Sequence, residues 1–169
     1  DAPGARPSGA QGMNAIAASI IVPVYRDWDS VALLLGDLAA QARPRVEVVL
    51  VNNDPGHAPP ALPDAAMPCR IVPCAQPGSY AARNAGAAQA RGALLIFTDA
   101  DCRPQPGWLD ALLAQAAPGV VLAGPVTFDP GPDPTIWAIF DTVRGMPQQR
   151  YIRHGYATTA NLAVPRAVV

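Results

Sequence analysis

The feature that most constrains the fold is the apolar run 93–97, which ends at Thr98 and the pair Asp99-Ala100-Asp101. A run of four to eight apolar residues between polar boundaries is typical of a buried strand. Both carboxylates therefore follow the C-terminal end of a strand, where open α/β sheets bind their ligands. Carboxylates at this spacing can share a divalent metal, and such a metal can hold a diphosphate. The pattern predicts a metal–diphosphate site here.

The rest of the chain alternates between apolar runs and segments of helical spacing. This order predicts an α/β fold with a doubly wound, mostly parallel sheet and helices on both faces. Nearly continuous apolar strands also favour a sheet that is covered on both sides. The predicted strands are 18–22, 46–51, 70–72, 93–97 and a broken strand over 120–123 and 125–128, and Pro23 is expected to close the first of them. The predicted helices are 30–41, 78–90 and 108–115, with a further helix expected within 57–68. Asp29 or Ser30 is expected to cap the first helix.

Composition limits the classes of protein that the chain can belong to. Its 169 residues, half of them hydrophobic, suffice for one core, and we expect a disordered leader over 1–17 followed by one domain over 18–169. A net charge of −1 argues against nucleic-acid binding through a basic field. Three cysteines without CxxC spacing and only two histidines argue against zinc and favour a reducing compartment. No apolar stretch is long enough to span a bilayer.

Four motifs occur in a characteristic order. They are Ser19-Ile20-Ile21-Val22-Pro23-Val24-Tyr25, the segment 48–54, Tyr80-Ala81-Ala82-Arg83-Asn84-Ala85-Gly86, and Phe97-Thr98-Asp99-Ala100-Asp101. Together they resemble family 2 glycosyltransferases over residues 18–169. The resemblance implies the GT-A fold and the transfer of a sugar from a nucleotide-diphosphate sugar, with inversion at the anomeric carbon.

The resemblance also assigns roles around the acidic pair, the DxD motif. Asp101 would ligate Mn²⁺ or Mg²⁺, while Asp99 would bind the ribose or reach the metal through water, with Ala100 between them. Arg83 and Asn84 would contact the phosphates or the ribose. Turn or helix-cap carboxylates and a surface arginine are the structural alternatives.

The base and the acceptor are expected on either side of this centre. Pro23 and Tyr25 would flank the nucleotide base together with Asn52, Asn53 and Asp54. The family usually carries Asp-Asp or Asp-Asn at the second strand end, so the two asparagines leave the nucleotide open, and an Asn-rich turn is an equal alternative.

The segment that contains Thr159 and Asn161 resembles the sugar or acceptor side of the family's site, with ordinary turn chemistry as the alternative. The aromatic residues of the C-terminal third are expected to lie in a core or interface rather than form a sugar platform: Trp137, Phe140, Tyr151 and Tyr156.

No general base is visible in the sequence. The family places an Asp or Glu after the segment that matches Asn161, so the base is expected beyond Val169 and the acceptor part is expected to be incomplete. The carboxylates after Asp101 lie in no matching motif: Asp110, Asp129, Asp133 and Asp141.

The expected partners are a nucleotide-sugar donor and a sugar, lipid-linked or polysaccharide acceptor, as in polysaccharide biosynthesis, with no nucleic acid. The expected location is the cytoplasm, with peripheral association at the inner face of the membrane. The two alternative functions are a nucleotidyltransferase, for which the segment after the first strand lacks the expected glycines, and a non-catalytic nucleotide-sugar-binding fragment.

Overall fold

The computed structural model describes residues 15–169 and contains a six-stranded sheet with the order β3-β2-β1-β4-β6-β5. The first four of these strands in the sheet run parallel, whereas β6 is antiparallel to both β4 and β5. This confirms the mostly parallel α/β sheet. The strands are β1 (Ala18–Val24), β2 (Val46–Asn52), β3 (Cys69–Pro73), β4 (Leu94–Thr98), β5 (Leu122–Ala123) and β6 (Asn161–Pro165).

Helices cover both faces of the sheet, because successive strand side chains point in opposite directions. In β1, Ile20 and Val22 belong to a core with α1 and α3, whereas Ile21 belongs to a second core with α2. The central strands are therefore apolar on both sides. The helices are α1 (Trp28–Ala39), α2 (Ser79–Gln89), α3 (Trp108–Gln115), α4 (Ile136–Arg144) and α5 (Gln148–Ile152).

The prediction that Pro23 closes the first strand is wrong, since β1 continues to Val24. Val24 accepts a hydrogen bond from Asn53 on the β2 side, so the neighbouring Pro23 faces the β4 side. The pairing with β4 ends at Ile21 and Phe97. A proline at this position therefore removes no hydrogen bond from the sheet.

The first helix begins earlier than the sequence pattern indicated. Its N-cap is Asp27, whose side chain accepts a hydrogen bond from the Ser30 N–H, and Trp28 is already helical and buried. The predicted caps Asp29 and Ser30 therefore lie inside the first turn. The apolar spacing starts at Val31, so it could not locate the turn that precedes it.

Residues 53–68 form no helix, contrary to the expectation for 57–68. Five prolines occupy this segment, and each lacks the N–H that a helix interior needs. The segment instead covers the α1 side of the sheet with Ala65 and Met67, which are buried.

The C-terminal third differs most from the prediction. The expected strand over 120–128 is reduced to the two residues of β5, and β6 and the helices α4 and α5 were not predicted. Gly124 follows β5, and a Cβ atom there would lie 2.2 Å from Asn161 Nδ2. A side-chain contact between distant segments thus sets this edge of the sheet.

The predicted leader lies outside the described residues over 1–14. Of its last three residues, Ala15 and Ala17 are hydrogen-bonded to the domain. The Arg45 side chain donates to the Ala15 carbonyl, the Ala17 N–H donates to the Arg45 carbonyl, and the Leu94 N–H donates to the Ala17 carbonyl. The ordered domain therefore begins before Ala18.

Candidate active site

The C-terminal ends of β1, β2 and β4 lie side by side and carry the predicted site residues. Val24 pairs with Asn52, and the Asn53 N–H donates to the Val24 carbonyl at 2.8 Å. The pairing of Ile21 with Phe97 brings Asp99, two residues further on, to the level of Pro23. The sheet thus collects the ends of three motifs at one edge.

Arg83 is the buried cation of this edge. Its side chain reaches from α2 and donates from Nη2 to Asp99 Oδ1, and only 9% of the residue is exposed. Its Nε is buried and has no hydrogen-bond partner among the described residues. The ring of Tyr80, one turn earlier on α2, has its centroid 6.0 Å from the guanidinium carbon. Arg83 therefore holds Asp99 and keeps one unsatisfied donor.

Asp101 differs from Asp99 in its surroundings. Asp101 is exposed and forms no salt bridge with any residue from 15 to 169, whereas Asp99 is paired with Arg83. Between them, Ala100 is buried, and the Cys102 N–H donates to the Asp99 carbonyl at 3.1 Å, which closes the turn. The turn therefore presents one neutralised and one solvent-facing carboxylate.

These two carboxylates fit a hard divalent cation. Mg²⁺ is usually held by one or two carboxylates together with substrate phosphates and water. Within the described part of the chain, no group of three or more His, Cys, Asp or Glu side chains is placed to hold a metal. Asp101 and Asp99 would hold such an ion, with its remaining ligands from a bound diphosphate and water. The nearby Cys102 is a poor ligand, because burial raises the pKa of its thiol.

The amide groups of Asn52 and Asn53 are used by the protein itself. Asn52 Nδ2 donates to the His57 carbonyl at 3.1 Å, and its Oδ1 accepts from the Asp54 N–H at 3.0 Å. Asn53 fixes the segment 74–78 through both ends of its amide. Both side chains are thus tied to the backbone around the predicted base site.

Arg26 is a further polar residue of this site, which the sequence motifs did not predict. Its Nε donates to Asp54 Oδ2 at 2.5 Å, and its guanidinium carbon lies 5.3 Å from the centroid of the Tyr25 ring. His57 Nδ1 lies 2.8 Å from the same carboxylate oxygen, and the hydrogen bond from Arg26 lowers the pKa of Asp54. The position of a basic residue just after the end of β1 could have predicted that Arg26 belongs to this cluster.

The predicted acceptor residues have different environments. Asn161 Oδ1 accepts from Trp108 Nε1 at 3.0 Å, and its Nδ2 donates to the Pro125 carbonyl at 3.0 Å. These hydrogen bonds connect α3 and the residues after β5 to the start of β6, so the Asn161 side chain stabilises the fold. Thr159 is half-buried just before β6. Their acceptor role stays a prediction.

Within residues 15–169, none of the other candidate polar residues is hydrogen-bonded to Asp99, Asp101 or Arg83. Asn84 is exposed one residue after Arg83, and Asp110 pairs with Arg43. Asp129 and Asp133 are both exposed, and the Asp129 carboxylate accepts a hydrogen bond from the Gly131 N–H.

Comparison with known proteins decides the family. The family model described as Glycosyl transferase family 2 matches residues 19–166. The chain belongs to glycosyl transferase family 2. It is 30% identical over 161 residues to the glycosyltransferase AglE of Haloferax volcanii, covering 89% of this chain and 53% of that protein. It is also 30% identical to the undecaprenyl-phosphate 4-deoxy-4-formamido-L-arabinose transferase of Pseudomonas fluorescens, covering 88% of this chain and 42% of that enzyme.

Solved structures show that this family 2 member has the GT-A fold. The TarS fragment 1–349 of S. aureus, in complex with UDP-GlcNAc, aligns with a TM-score of 0.63 at 21% identity, over 90% of this chain and 46% of that one. The mannosyltransferase PcManGT of Pyrobaculum calidifontis, in complex with GDP-Man and Mn²⁺, aligns with a TM-score of 0.59 at 20% identity, over 89% and 45%.

The family 2 domain spans about half the length of the curated relatives that it matches. Over residues 15–169, no helix combines the length and the apolar character needed to cross a membrane. The family membership assigns the chain to the transferases.

Proposed function

We propose that this domain binds a nucleotide-diphosphate sugar at the ends of β1, β2 and β4 and transfers the sugar with inversion, as a hexosyltransferase-type enzyme. The observation that carries the proposal is the arrangement of Asp99, Asp101 and Arg83 at one sheet edge. The neighbours described above hold UDP-GlcNAc and GDP-Man, which supports a nucleotide-sugar donor and leaves the base open.

The two carboxylates would have unequal tasks. Asp99 is neutralised by Arg83 and half-buried, so it suits a hydrogen bond to the ribose or to a metal-bound water. Asp101 is exposed and free of salt bridges to described residues, so it suits direct ligation of Mn²⁺ or Mg²⁺. When bound, such an ion stabilises the charge that develops on the leaving diphosphate.

Arg83 supplies a second, permanent positive charge at this position. Its buried Nε is an unsatisfied donor, and an orphaned buried donor costs roughly 1–3 kcal/mol. A phosphate or ribose oxygen that reaches Nε would remove that cost. Arg83 would therefore contribute to donor binding in two ways, through a direct contact to the donor and through its orientation of Asp99.

Calorimetric titration with UDP and with GDP tests the donor site. In the presence of Mn²⁺ we expect one of the two to bind, and we expect Asp101→Asn to weaken binding at least about tenfold, which corresponds to about 1.4 kcal/mol. Asp110→Asn is the matched control, because Asp110 is an exposed carboxylate paired with Arg43 outside the site. Equal affinity in Mn²⁺ and in EDTA would contradict the metal role.

A turnover assay separates the remaining functions. Transfer with inversion is read from the anomeric configuration of the product. Donor binding without transfer would support the non-catalytic alternative, whereas efficient transfer by the chain would contradict it. Release of pyrophosphate from a nucleoside triphosphate would instead support the nucleotidyltransferase.

The acceptor and the location stay predictions within this proposal. A relative transfers a sugar to undecaprenyl phosphate according to its name, which supports a lipid-linked acceptor over a free sugar or a polysaccharide. Nucleotide sugars and this acceptor class would meet in the cytoplasm, at the inner face of the membrane.

A further inference from the structure

A cleft of about 730 Å³ lies between the end of β5 and helix α5. Pro125 and Met146 form part of its wall, and an isolated β-bridge between Val126 and Met146 holds these two segments together. The volume of the cleft falls within the range of small-molecule sites in proteins. None of the residues assigned to the donor lines it, so it is a separate feature of the domain.

The lining of the cleft offers hydrogen-bond donors and positive charge. Arg150, Arg153 and His154 belong to it, together with the amides of Gln148 and Gln149. Arg150 and Arg153 are exposed and three residues apart, which places them on the same side of one helical turn. Two guanidinium groups at this spacing repel each other unless an anion lies between them.

No carboxylate among the described residues neutralises these two arginines. The salt bridges within residues 15–169 use other arginines, namely Arg26, Arg43, Arg70, Arg83 and Arg103. The acidic residues that precede α5 do not line the cleft, and these are Asp129, Asp133 and Asp141. The cleft therefore carries a net positive charge that suits an anionic ligand.

The backbone around the cleft is fixed before any ligand binds. Gln148, which is 3% exposed, donates from Nε2 to the Thr158 carbonyl at 3.3 Å and accepts from the Thr158 N–H at 2.9 Å. The Tyr156 ring stacks on the Tyr151 ring, with 5.1 Å between the centroids, and its centroid lies 6.4 Å from that of His154. These contacts hold the segment of the basic residues in place, which lowers the entropy lost on binding.

The sheet places this cleft beside the proposed donor site. Ala123, which lines the cleft, pairs with Leu162, and Leu162 pairs with Phe97. Across three neighbouring strands, Ala123 therefore lies roughly 10 Å from Phe97, which is two residues before Asp99. The cleft is thus close enough to hold part of an acceptor while a donor occupies the acidic pair.

We propose that the cleft of Arg150, Arg153 and His154 binds a phosphate monoester group of the acceptor substrate. This inference rests on the proposed transferase function and specifies its acceptor class. An arginine can form two parallel hydrogen bonds to phosphate oxygens. A carboxylate has oxygens for one such pair, whereas the tetrahedral phosphate has enough for both arginines. A polyprenyl phosphate and a small phosphorylated metabolite present the same group.

Calorimetric titration of the 169-residue chain with farnesyl phosphate, glycerol 3-phosphate and farnesol tests the proposal. We expect phosphate-dependent binding and none of farnesol. Tighter binding of farnesyl phosphate supports a lipid-linked acceptor, and equal or tighter binding of glycerol 3-phosphate supports a small one. Arg150→Gln and Arg153→Gln should each weaken phosphate binding at least about tenfold, because each removes a charge-assisted contact.

Arg144→Gln is the matched control, because Arg144 is an exposed arginine of the same segment that does not line the cleft. It should bind the phosphates as the original chain does. The replaced arginines are exposed, so the variants should keep the fold, which thermal denaturation checks. Absence of phosphate binding, or unchanged binding by the double variant Arg150→Gln, Arg153→Gln, would overturn the proposal.

Competition with a nucleotide separates this cleft from the donor site. Binding of the phosphate probe should persist when UDP or GDP is present with Mn²⁺, whereas displacement by the nucleotide would assign the probe to the donor site and contradict the proposal. Asp99 and Asp101 do not line the cleft, so the two titrations fail independently. Phosphate binding without nucleotide binding would contradict the donor site alone, and the reverse result would contradict the cleft alone.

Discussion

Asn53 holds three backbone groups of the segment 74–78 through a single amide. Its Nδ2 donates to the carbonyls of Cys74 at 3.0 Å and Gln76 at 2.7 Å, and its Oδ1 accepts from the Gly78 N–H at 3.1 Å. The residue is buried at the end of β2. It therefore fixes the loop that leads from β3 into α2, the helix that carries Arg83.

Asn53→Ala should lower the free energy of unfolding by about 1–3 kcal/mol, because it leaves buried polar groups without partners. Urea denaturation measures this difference. Asn84→Ala is the control, since Asn84 is exposed on α2, and its change should stay within about 0.5 kcal/mol. An Asn53→Ala chain as stable as the original would show that the loop does not depend on this amide.

Among single residues, the sequence identified the acidic pair and Arg83. The local pattern predicts the acidic pair directly after a strand and Arg83 within a helix. It did not identify the pairing of Arg26 with Asp54, which are 28 residues apart. Nor did it show that Asn161 would be engaged by Trp108. Such pairs depend on which strand ends become neighbours.

Helix α2 packs against the sheet through Gly86. A Cβ atom at Gly86 would lie 2.5 Å from Ile21 Cγ2 and 2.9 Å from Val51 Cγ2. Both contacts are far below van der Waals distance, so α2 approaches β1 and β2 as closely as it does because this position lacks a side chain. The same approach brings Arg83 to Asp99.

Gly86→Ala should destabilise the domain by about 1–3 kcal/mol, because α2 or the two strand side chains must move. Gly36→Ala provides the opposite case in α1. Nothing lies within 4 Å of its added Cβ, so the higher helix propensity of alanine should stabilise the domain by up to about 1 kcal/mol. Thermal denaturation of both variants distinguishes the effect of packing from that of helix propensity. Unchanged thermal stability of Gly86→Ala would contradict the close approach of α2 to β1 and β2.

Regular elements of the N-terminal two thirds were predictable because each has an apolar pattern of its own. Helix α3 was predicted with its observed bounds, β2 extends one residue beyond its predicted end, and β4 is shifted by one residue. Helix α4 was missed because its apolar residues lie within a segment that prolines and glycines interrupt. Strand β6 was missed because antiparallel pairing with β4 defines it.

The whole domain should lose stability in acid, because several carboxyl groups titrate below their usual range when folded. Hydrogen bonds from Arg103, Arg26 and Arg43 lower the pKa of Asp37, Asp54 and Asp110 respectively. Burial alone would raise the pKa of Glu47, but hydrogen bonds from Ser19, the Arg91 N–H and Arg70 outweigh it and the pKa is lowered.

A carboxyl group whose pKa is lowered by folding stabilises the native state above its unfolded pKa. That contribution is lost as the pH falls through the lower, folded value. We therefore expect the urea concentration at the unfolding midpoint to decrease once the pH drops below about 4. Added salt should reduce the part due to the surface pairs more than the part due to the buried Glu47. A midpoint that is constant or rises on acidification would contradict this.

The sequence by itself determined the α/β class, the order of the central elements and the place of the acidic pair, because these follow from local periodicity and strand ends. The tertiary structure decided which polar groups are free to act. Arg83 neutralises Asp99 and leaves Asp101 exposed, while Asn53 and Asn161 are engaged by the protein. It also left the residues of α4 without burial by the described part of the chain. These outcomes depend on contacts between residues far apart in the chain, which no local pattern encodes.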